Sequence, residues 1–493
     1  MARYLPPDHF CPWREEAEEL RERLTSVEAQ VEQLRQRVFG RSSERLPPVE
    51  QELRGQQDEE ESRQAVAQAA QDKRRERAAA RAALPTREVH HEVPVEQRTC
   101  ASCGGTQLKA VGEGKRSVVY EYIPARLERQ VHVQQTLACK CGQGLVTAPG
   151  PTRLGDKSQY GPGLVAHLVA AKCADSMPLH RLGRALERQG VPLARSTLTD
   201  LFHLAAREVE PLANRLLEKI AEQQVVQADE TPLKVQAPGK TRQGYLWTFL
   251  AGHEEEELLV GYRFSPSRSG QTPLEVLGGS QGALVVDGHT GYNPVTTPKG
   301  RQRVGCWSHG RRKFFKALTS APEAQEAMKF IRELYRVEHE ALAAGIVRTP
   351  AHKAWRQEKS KPVLEQFKAW LEKQAPLHPP KSPMGMAISY VQGQWETLCR
   401  FVEDERLPLD NNRSERALRT AAVGRKNFLF VGHDEAGRNL AGLYSLVATC
   451  LANRINPEQY LADVLMRVQS HPNSRLDELL PVEWKRGRAA NTS

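Results

Sequence analysis

Long apolar runs are missing from this chain. None of its 493 residues lies in a stretch approaching the roughly 20 apolar residues that span a bilayer. Mean hydropathy is −0.57, and the opening Met1-Ala-Arg-Tyr-Leu-Pro-Pro has no apolar signal-peptide core. These absences argue against a membrane protein and against Sec secretion. Cysteine is sparse too, nine in number and therefore odd, whereas disulfide scaffolds are short, dense and even-numbered. Reduced thiols in a cytoplasmic protein are the expectation.

Acidic residues are also short, 60 Asp+Glu against 70 Lys+Arg, for a net charge of +10. The deficit is local. Lys299–Lys316 holds seven Lys/Arg and no acid, and Arg413–Lys426 holds five Lys/Arg and one acid, Glu415. These two windows together exceed the whole chain's excess, so the remainder is close to neutral. A polyanionic partner met at two places is the implied reading.

What is present is organised in blocks. In residues 1–45, Leu20, Leu24, Val27, Val31, Leu34 and Val38 form an a/d seam over 14–38, either a self-associating coiled coil or one helix packed on its own domain. Residues 46–87 contain a Gln/Ala/Glu/Arg tract able to form a solvated helix or a linker but not a core. In 88–150, Val89, Val93, Val95, Val118–Ile123, Val131 and Val133 suggest short strands around Cys100/Cys103 and Cys139/Cys141. Two close cysteine pairs between strands suit a zinc ribbon with one structural Zn²⁺. The second pair, C-x-C, is tighter than the usual spacing, and four unligated thiols are the alternative. Residues 151–222 read as helices, with a helix, Gly190-Val191-Pro192, then another helix from Ser196. That is a helix-turn-helix outline with Arg181, Arg184, Arg188 and Arg195 on a basic side, or a plain helical packing unit.

From residue 223 the pattern becomes mixed α/β. Val225–Asp229, Tyr245–Ala251 and Leu258–Phe264 predict a three-strand meander. A helix near Pro273–Leu277, a doubly buried strand Ala283–Gly288 and a fifth strand Arg303–Trp307 come next. Helices fill 310–372, Ala375–Pro383 interrupts them, and a helix starts at the capping residues Asp410-Asn411-Asn412. Phe428–Val431 looks strand-like. This is an RNase H-like outline within an α+β, multidomain chain.

In that outline Asp229 sits on the central strand, Asp287 at the end of the strand beside it, and Glu415 on a helix packed against the sheet. Clustered carboxylates resist joint ionisation unless a cation neutralises them, and oxygen donors suit Mg²⁺ or Mn²⁺. Two such ions about 3.5–4 Å apart would activate a nucleophile and stabilise a leaving oxygen. Each acid also has a plain reading: a strand-end acid with Glu230 as rival, a turn, and a helix-dipole partner with Asp410 as rival.

The surrounding motifs resemble those of insertion sequence 66 family transposases. They are Asp229-Glu230-Thr231-Pro232, Val286-Asp287-Gly288 with Gly291-Tyr292, Cys306-Trp307-Ser308-His309-Gly310-Arg311-Arg312-Lys313-Phe314, Asp410-Asn411-Asn412-Arg413-Ser414-Glu415-Arg416 and Val423–Gly432. Tyr444-Ser445-Leu446, Asn456-Pro457 with Tyr460-Leu461, Phe39–Glu44 and Ala148-Pro149 extend the likeness along nearly the whole chain. The resemblance implies a DDE transposase with Asp229, Asp287 and Glu415 as its two-metal triad. It also implies a catalytic core in 223–317 and 406–493 split by a helical insertion, 318–405. The second cysteine pair departs from the family's C-x-x-C.

The reaction that the resemblance implies is hydrolysis at transposon ends to free 3′-OH groups, then strand transfer into target DNA, with no covalent protein–DNA intermediate. Double-stranded DNA, a homo-oligomeric state, accessory proteins of the same element and association with the nucleoid are the implied partners and location. Arg311, Arg312, Lys313, Arg416, Arg425 and Lys426 are candidates for gripping phosphates, and Trp307 either stacks on an unpaired base or lies in the core. Cys306 and His309 are a metal half-site or a structural fixture of the insertion's start. Two other classes remain open. One is a DNA-binding protein that recognises ends without cutting. The other is a recombinase acting through a Ser or Tyr nucleophile.

Overall fold

The computed structural model describes residues 59–83, 127–138, 145–151, 153–155, 158–252 and 257–492. Residues 14–38 and Cys100, Cys103, Cys139 and Cys141, for which a coiled coil and a zinc site are expected, lie outside them. The chain divides into two compact units, 51–130 and the remainder. In the first, helix α1 (Glu59–Ala82) realises the expectation of a solvated helix: its described side chains are exposed, and Gln68 donates to Asp72 one turn on.

The second unit opens with a small antiparallel ribbon, β1 (Thr136–Ala138) and β2 (Leu145–Thr147), whose Thr136 and Thr147 hydroxyls lie 3.0 Å apart. Val131 and Val133, expected in a strand, lie outside any strand ladder and are 72% and 89% exposed. Four helices come next: α2 (Pro162–Cys173), α3 (Leu179–Arg188), α4 (Arg195–Glu208) and α5 (Glu210–Ala221). Leu182 and Leu186 turn inward from α3, while Arg181, Arg184 and Arg188 take its outer face at helical spacing.

A five-stranded sheet follows, with its first strand in sequence at the centre of the strand order. Strands β3 (Val225–Ala237) and β4 (Lys240–Ala251) form a long hairpin closed by Pro238-Gly239, with Gly239 supplying the positive φ of +69° that the tight turn needs. Strand β5 (Leu259–Ser265) pairs antiparallel with β4. Helix α6 (Gln271–Leu277) leads to β6 (Ala283–Val285), parallel to β3, and then β7 (Gln302–Val304), parallel to β6. The fifth strand is shorter than the sequence suggests, because Trp307 opens helix α7 (Trp307–Ala317).

Helices α8 (Ala324–Ala343), α9 (Pro350–Trp355), α10 (Lys361–Gln374), α11 (Pro383–Gly393) and α12 (Trp395–Cys399) continue the chain, with a π-helical turn Arg356–Ser360 joining α9 to α10. With α7, and with Ala283, Val285 and Val304 of the sheet's β6–β7 side, they enclose a second core, in which Trp307, Phe314, Phe330, Phe367, Trp370 and Trp395 interlock edge-on and stacked. Buried Arg356 braces it, gripping Glu338 through Nε (2.8 Å) and Nη2 (2.6 Å) and donating to the Phe401 carbonyl.

The chain then returns to the sheet through α13 (Asn412–Phe428), α14 (Asp434–Ala452), α15 (Pro457–Arg467) and α16 (Pro481–Thr492). Helices α2–α5, the sheet, α14 and α15 share one hydrophobic core. Helix α14 lies along the free edge of β5 and supplies it with a ladder of side chains. Tyr262 N–H donates to Ser445 Oγ (2.8 Å), Val260 exchanges two bonds with Thr449 Oγ1 (3.1 and 3.0 Å), and Leu258 exchanges two with the Asn453 amide (3.1 and 2.7 Å). Residues four apart on a helix meet alternate residues of a strand, and the edge is closed.

Candidate active site

Asp229 stands in the middle of β3, opposite Thr248 of β4, and its Oδ1 accepts the Glu230 N–H at 2.9 Å. Burial above all, and then the charges of Glu230, Glu415 and Asp287, push its carboxyl well above the usual range. Glu230 projects to the other side of the pleat, where its side chain is 3% exposed. Arg268 donates to Glu230 Oε1 at 2.8 Å and the Tyr292 hydroxyl to Oε2 at 2.6 Å, so both oxygens are engaged.

Asp287 lies two residues past β6, and its Oδ1 accepts the His289 N–H at 2.9 Å. Arg303 fixes this loop by donating to the Asp287 carbonyl at 2.8 Å. A Cβ on Gly288 would meet the Tyr390 ring at 2.8 Å, so glycine is what admits this side chain of the helical insertion to the loop. Lys313 Nζ lies over the Tyr390 ring, 4.6 Å from its centre.

Glu415 occupies the first turn of α13. Arg312 of α7 donates to both its oxygens at 3.2 Å, and His309 Nε2 lies 3.8 Å from Oε1. Burial holds the His309 imidazole below its ordinary value, against the opposing pull of Asp287 and Glu415. The start of α13 is tied to β3 by Asn411. Its side chain does not cap the helix. Its Nδ2 reaches the carbonyl of Ala228, next to Asp229, at 2.8 Å, and its N–H points at Cys306 Sγ (3.3 Å). The capping acceptor is Asp410, which takes the Asn412 N–H at 3.0 Å and the Tyr335 hydroxyl at 2.7 Å.

Three segments distant in sequence thus bring the charges of Asp287 and Glu415 to bear on Asp229. Carboxylate oxygens suit a hard divalent cation, and such an ion would relieve the raised Asp229 carboxyl. Among the described residues, however, no three acid, imidazole or thiol groups already stand as a metal cluster. Arg312 holds Glu415 with the positive charge.

The remaining sequence candidates separate by exposure. Arg181, Arg184, Arg188, Arg195, Lys313, Arg416 and Lys426 are exposed. Arg311 is 4% exposed, and Arg425 turns inward to donate to Thr231 Oγ1 at 2.6 Å. Arg301, 1% exposed, donates to Ser280 Oγ and to the carbonyls of Ala283, Ala221 and Gln223, and burial lowers its pKa to about 10. Of the seven cations in the first basic window, Arg301 and Arg311 are buried, Arg303 and Arg312 half-buried, and Lys299, Lys313 and Lys316 exposed, so only part of its charge can face a partner. Trp307 is fully buried and donates to the Leu398 carbonyl at 2.9 Å, so its place is in the insertion's core. Cys306 is equally buried, its thiol pushed up by burial. Sequence reasoning misses Asn411 and Tyr390 as parts of the site. Asn411 reads locally as a cap, and nothing local marks Tyr390.

The chain belongs to the IS66 transposase family: the family model described as Transposase IS66 family matches residues 157–439. The IS66 C-terminal element matches 445–482, and the zinc-finger binding domain of transposase IS66 matches 97–142. Among similar chains are three uncharacterized proteins of Sinorhizobium fredii (strain NBRC 101917 / NGR234). Of these, y4hP is 29% identical over 95% of this chain and 90% of its own length. The second, y4jD, is 32% identical over 79% of each, and y4qI 31% over 80% of this chain and 75% of its own. Membership implies DNA as partner, divalent metal ions at the DDE site and zinc at the finger. No helix among the described residues is long and apolar enough to cross a membrane.

Proposed function

We propose that this protein is an active DDE transposase that binds the terminal repeats of its insertion sequence, hydrolyses the phosphodiester at each end and joins the freed 3′-OH to target DNA. The observation that carries the reading is Asp229, buried in the central strand and raised by the charges of both Asp287 and Glu415. The strand order, with an antiparallel meander on one side of β3 and parallel strands on the other, supports an RNase H-like core.

Two Mg²⁺ or Mn²⁺ ions held by Asp229, Asp287 and Glu415 would supply an activated water and charge stabilisation for the in-line displacement. The chain's own residues do the placing. Asp229 is fixed by the strand ladder, Asp287 by Arg303 and the His289 N–H, and Glu415 by the Asn411 tether. Arg312 neutralises Glu415 through both its oxygens, and His309 Nε2 stands 3.8 Å from the same carboxylate. Lys313, Arg416 and Lys426 near the acids, and Arg181, Arg184, Arg188 and Arg195 on the helical region, hold backbone phosphates. Cys100, Cys103, Cys139 and Cys141 form the zinc site. Pairing two DNA ends requires a homo-oligomer and admits accessory proteins of the element.

The test is cleavage of DNA bearing the element's terminal repeat with and without Mg²⁺. Metal-dependent release of a 3′-OH is expected, and Asp287→Asn should abolish it. An Asp287→Asn variant that cleaves like the parent removes the triad, and a trapped covalent protein–DNA adduct removes the mechanism. A second reading, a DNA-binding protein that does not cut, draws on Glu415 being held by Arg312 rather than standing in a ready metal cluster. It predicts binding of the repeat without cleavage at any metal concentration.

A further inference from the structure

The outward face of α13 carries Arg416, Arg419, Val423 and Lys426, all exposed, at successive steps of three, four and three residues. Those steps place them in one stripe, which begins beside Glu415 and contains no acid. At its far end the helix stops in an uncommon way. Leu429 has φ +68° and ψ −47°, and the Phe430 N–H donates to the Phe428 carbonyl at 2.8 Å. This is a γ-turn of the rare, strained hand, centred on a branched residue where glycine would sit without strain.

The turn is braced on both sides. Val431 N–H donates to the Lys234 carbonyl (3.0 Å) and its carbonyl accepts from Gln236 (2.8 Å), which fastens it to the β3–β4 hairpin. On the other side Asn427 donates to the Ser176 carbonyl (3.0 Å), and Lys172 lies 4.5 Å from the Phe428 ring centre. So braced, the strained turn holds two large apolar side chains in water: Leu429 is 63% and Phe430 40% exposed.

We propose that Leu429 and Phe430 form a rigid apolar wedge that unstacks a base step of DNA lying along the Arg416–Arg419–Lys426 stripe. The inference rests on the transposase reading and adds to it a contact that distorts the duplex. Charge complementarity selects the occupant, because an apolar tip at the end of an acid-free basic stripe matches a polyanion with a π-stacked interior. A helix rises about 1.5 Å per residue, so the wedge stands about 20 Å from Glu415, on the order of six base pairs from the bond to be cut. Opening the duplex there would loosen the end for cleavage, a role that buried Trp307 cannot fill.

The test compares binding of the full chain to a short duplex and to the same duplex with a two-base unpaired bubble, at one salt concentration. An aminopurine base analogue in the matched strand reports unstacking. The parent should prefer the bubble by about tenfold, since its unstacking cost is already met, and should raise the analogue's fluorescence on matched DNA. L429S/F430S should bind both duplexes alike, keep matched-duplex affinity within about threefold because the phosphate contacts remain, and leave the fluorescence flat. F430W should restore the preference, which separates a stacking role from a folding defect. A parent without preference, or a double variant that retains it, overturns the wedge. So does a double variant that changes only the protein's sedimentation mass, which would make the turn a protein contact. A parent that prefers the bubble yet never cleaves with Mg²⁺ overturns the transposase reading alone.

Discussion

Replacing Asn411 with alanine separates two roles that one side chain performs. Asn411 is 1% exposed and gives a single donor, Nδ2, to the buried Ala228 carbonyl at 2.8 Å. Removing that donor while the acceptor stays buried costs about 1–3 kcal/mol, with about 2 kcal/mol the working figure. The backbone contact to Cys306 survives the substitution, so α13 should still form. What is lost is the tie between the strand bearing Asp229 and the first turn bearing Glu415. A catalytic group displaced by about 1 Å loses on the order of 100-fold in rate. Asn411→Ala should therefore lower the urea midpoint modestly and slow end cleavage far more, when both are measured on fully folded protein. Asn411→Asp should be worse on both counts, since its carboxylate would face the Ala228 carbonyl. Cleavage within twofold of the parent, alongside the expected loss of stability, would reduce Asn411 to a packing residue. An unchanged urea midpoint would refute the hydrogen-bond argument itself.

Three further outcomes concern groups away from that tether. Asp229 binds its proton more tightly in the folded chain than in the unfolded one, so its contribution to stability is full at low pH and is lost as pH rises through the raised value. Metal-free Asp229→Asn should therefore gain on the parent as pH rises toward neutrality, by about 1.4 kcal/mol per unit of displacement. Mg²⁺ should narrow the gap in urea melts, and a gap independent of pH would show the carboxylate to be unstrained. Arg356→Met leaves Glu338 with the His352 imidazole at 3.4 Å in place of a guanidinium, strands two carbonyls inside the insertion, and should cost about 3 kcal/mol, read as an early melting phase. A single unshifted transition would contradict it. Ser445→Ala with Thr449→Val leaves two buried strand N–H groups without acceptors, at about 1–3 kcal/mol each. Size-exclusion chromatography should then show self-association through the uncovered edge, whereas a monodisperse profile matching the parent's would deny the ladder its role.

The sheet is legible in the sequence because its strands are bounded by turn residues and its buried β6 is a pure apolar run. Of the three acids, Asp229 follows the apolar start of its strand, Asp287 the end of an apolar run, and Glu415 the polar opening of a helix. The solvated helix α1 is legible by the same logic, having no apolar stripe to bury. The basic window around Arg301 misleads because charge is counted locally while burial is decided by distant segments. The carbonyls that receive the Arg301 guanidinium come from the end of α5 and from β6, which no spacing reveals. Trp307 and Tyr390 show the same limit, each fixed by helices that return from far along the chain. Asn411 reads as a cap, its most frequent use, and the strand carbonyl that recruits it lies 183 residues earlier.

The side-chain ladder on β5 has a consequence for synthesis on the ribosome. Strand β5 is made around residue 260, but its closing rungs are Ser445, Thr449 and Asn453. Through most of translation the half-built sheet carries a bare hydrogen-bonding rim, able to pair with another nascent chain. The matched C-terminal element begins at Ser445, the first of those rungs. A ribosome that stops short of it would release a sheet able to stick to its copies, so completing that element is also what keeps the first finished strands apart.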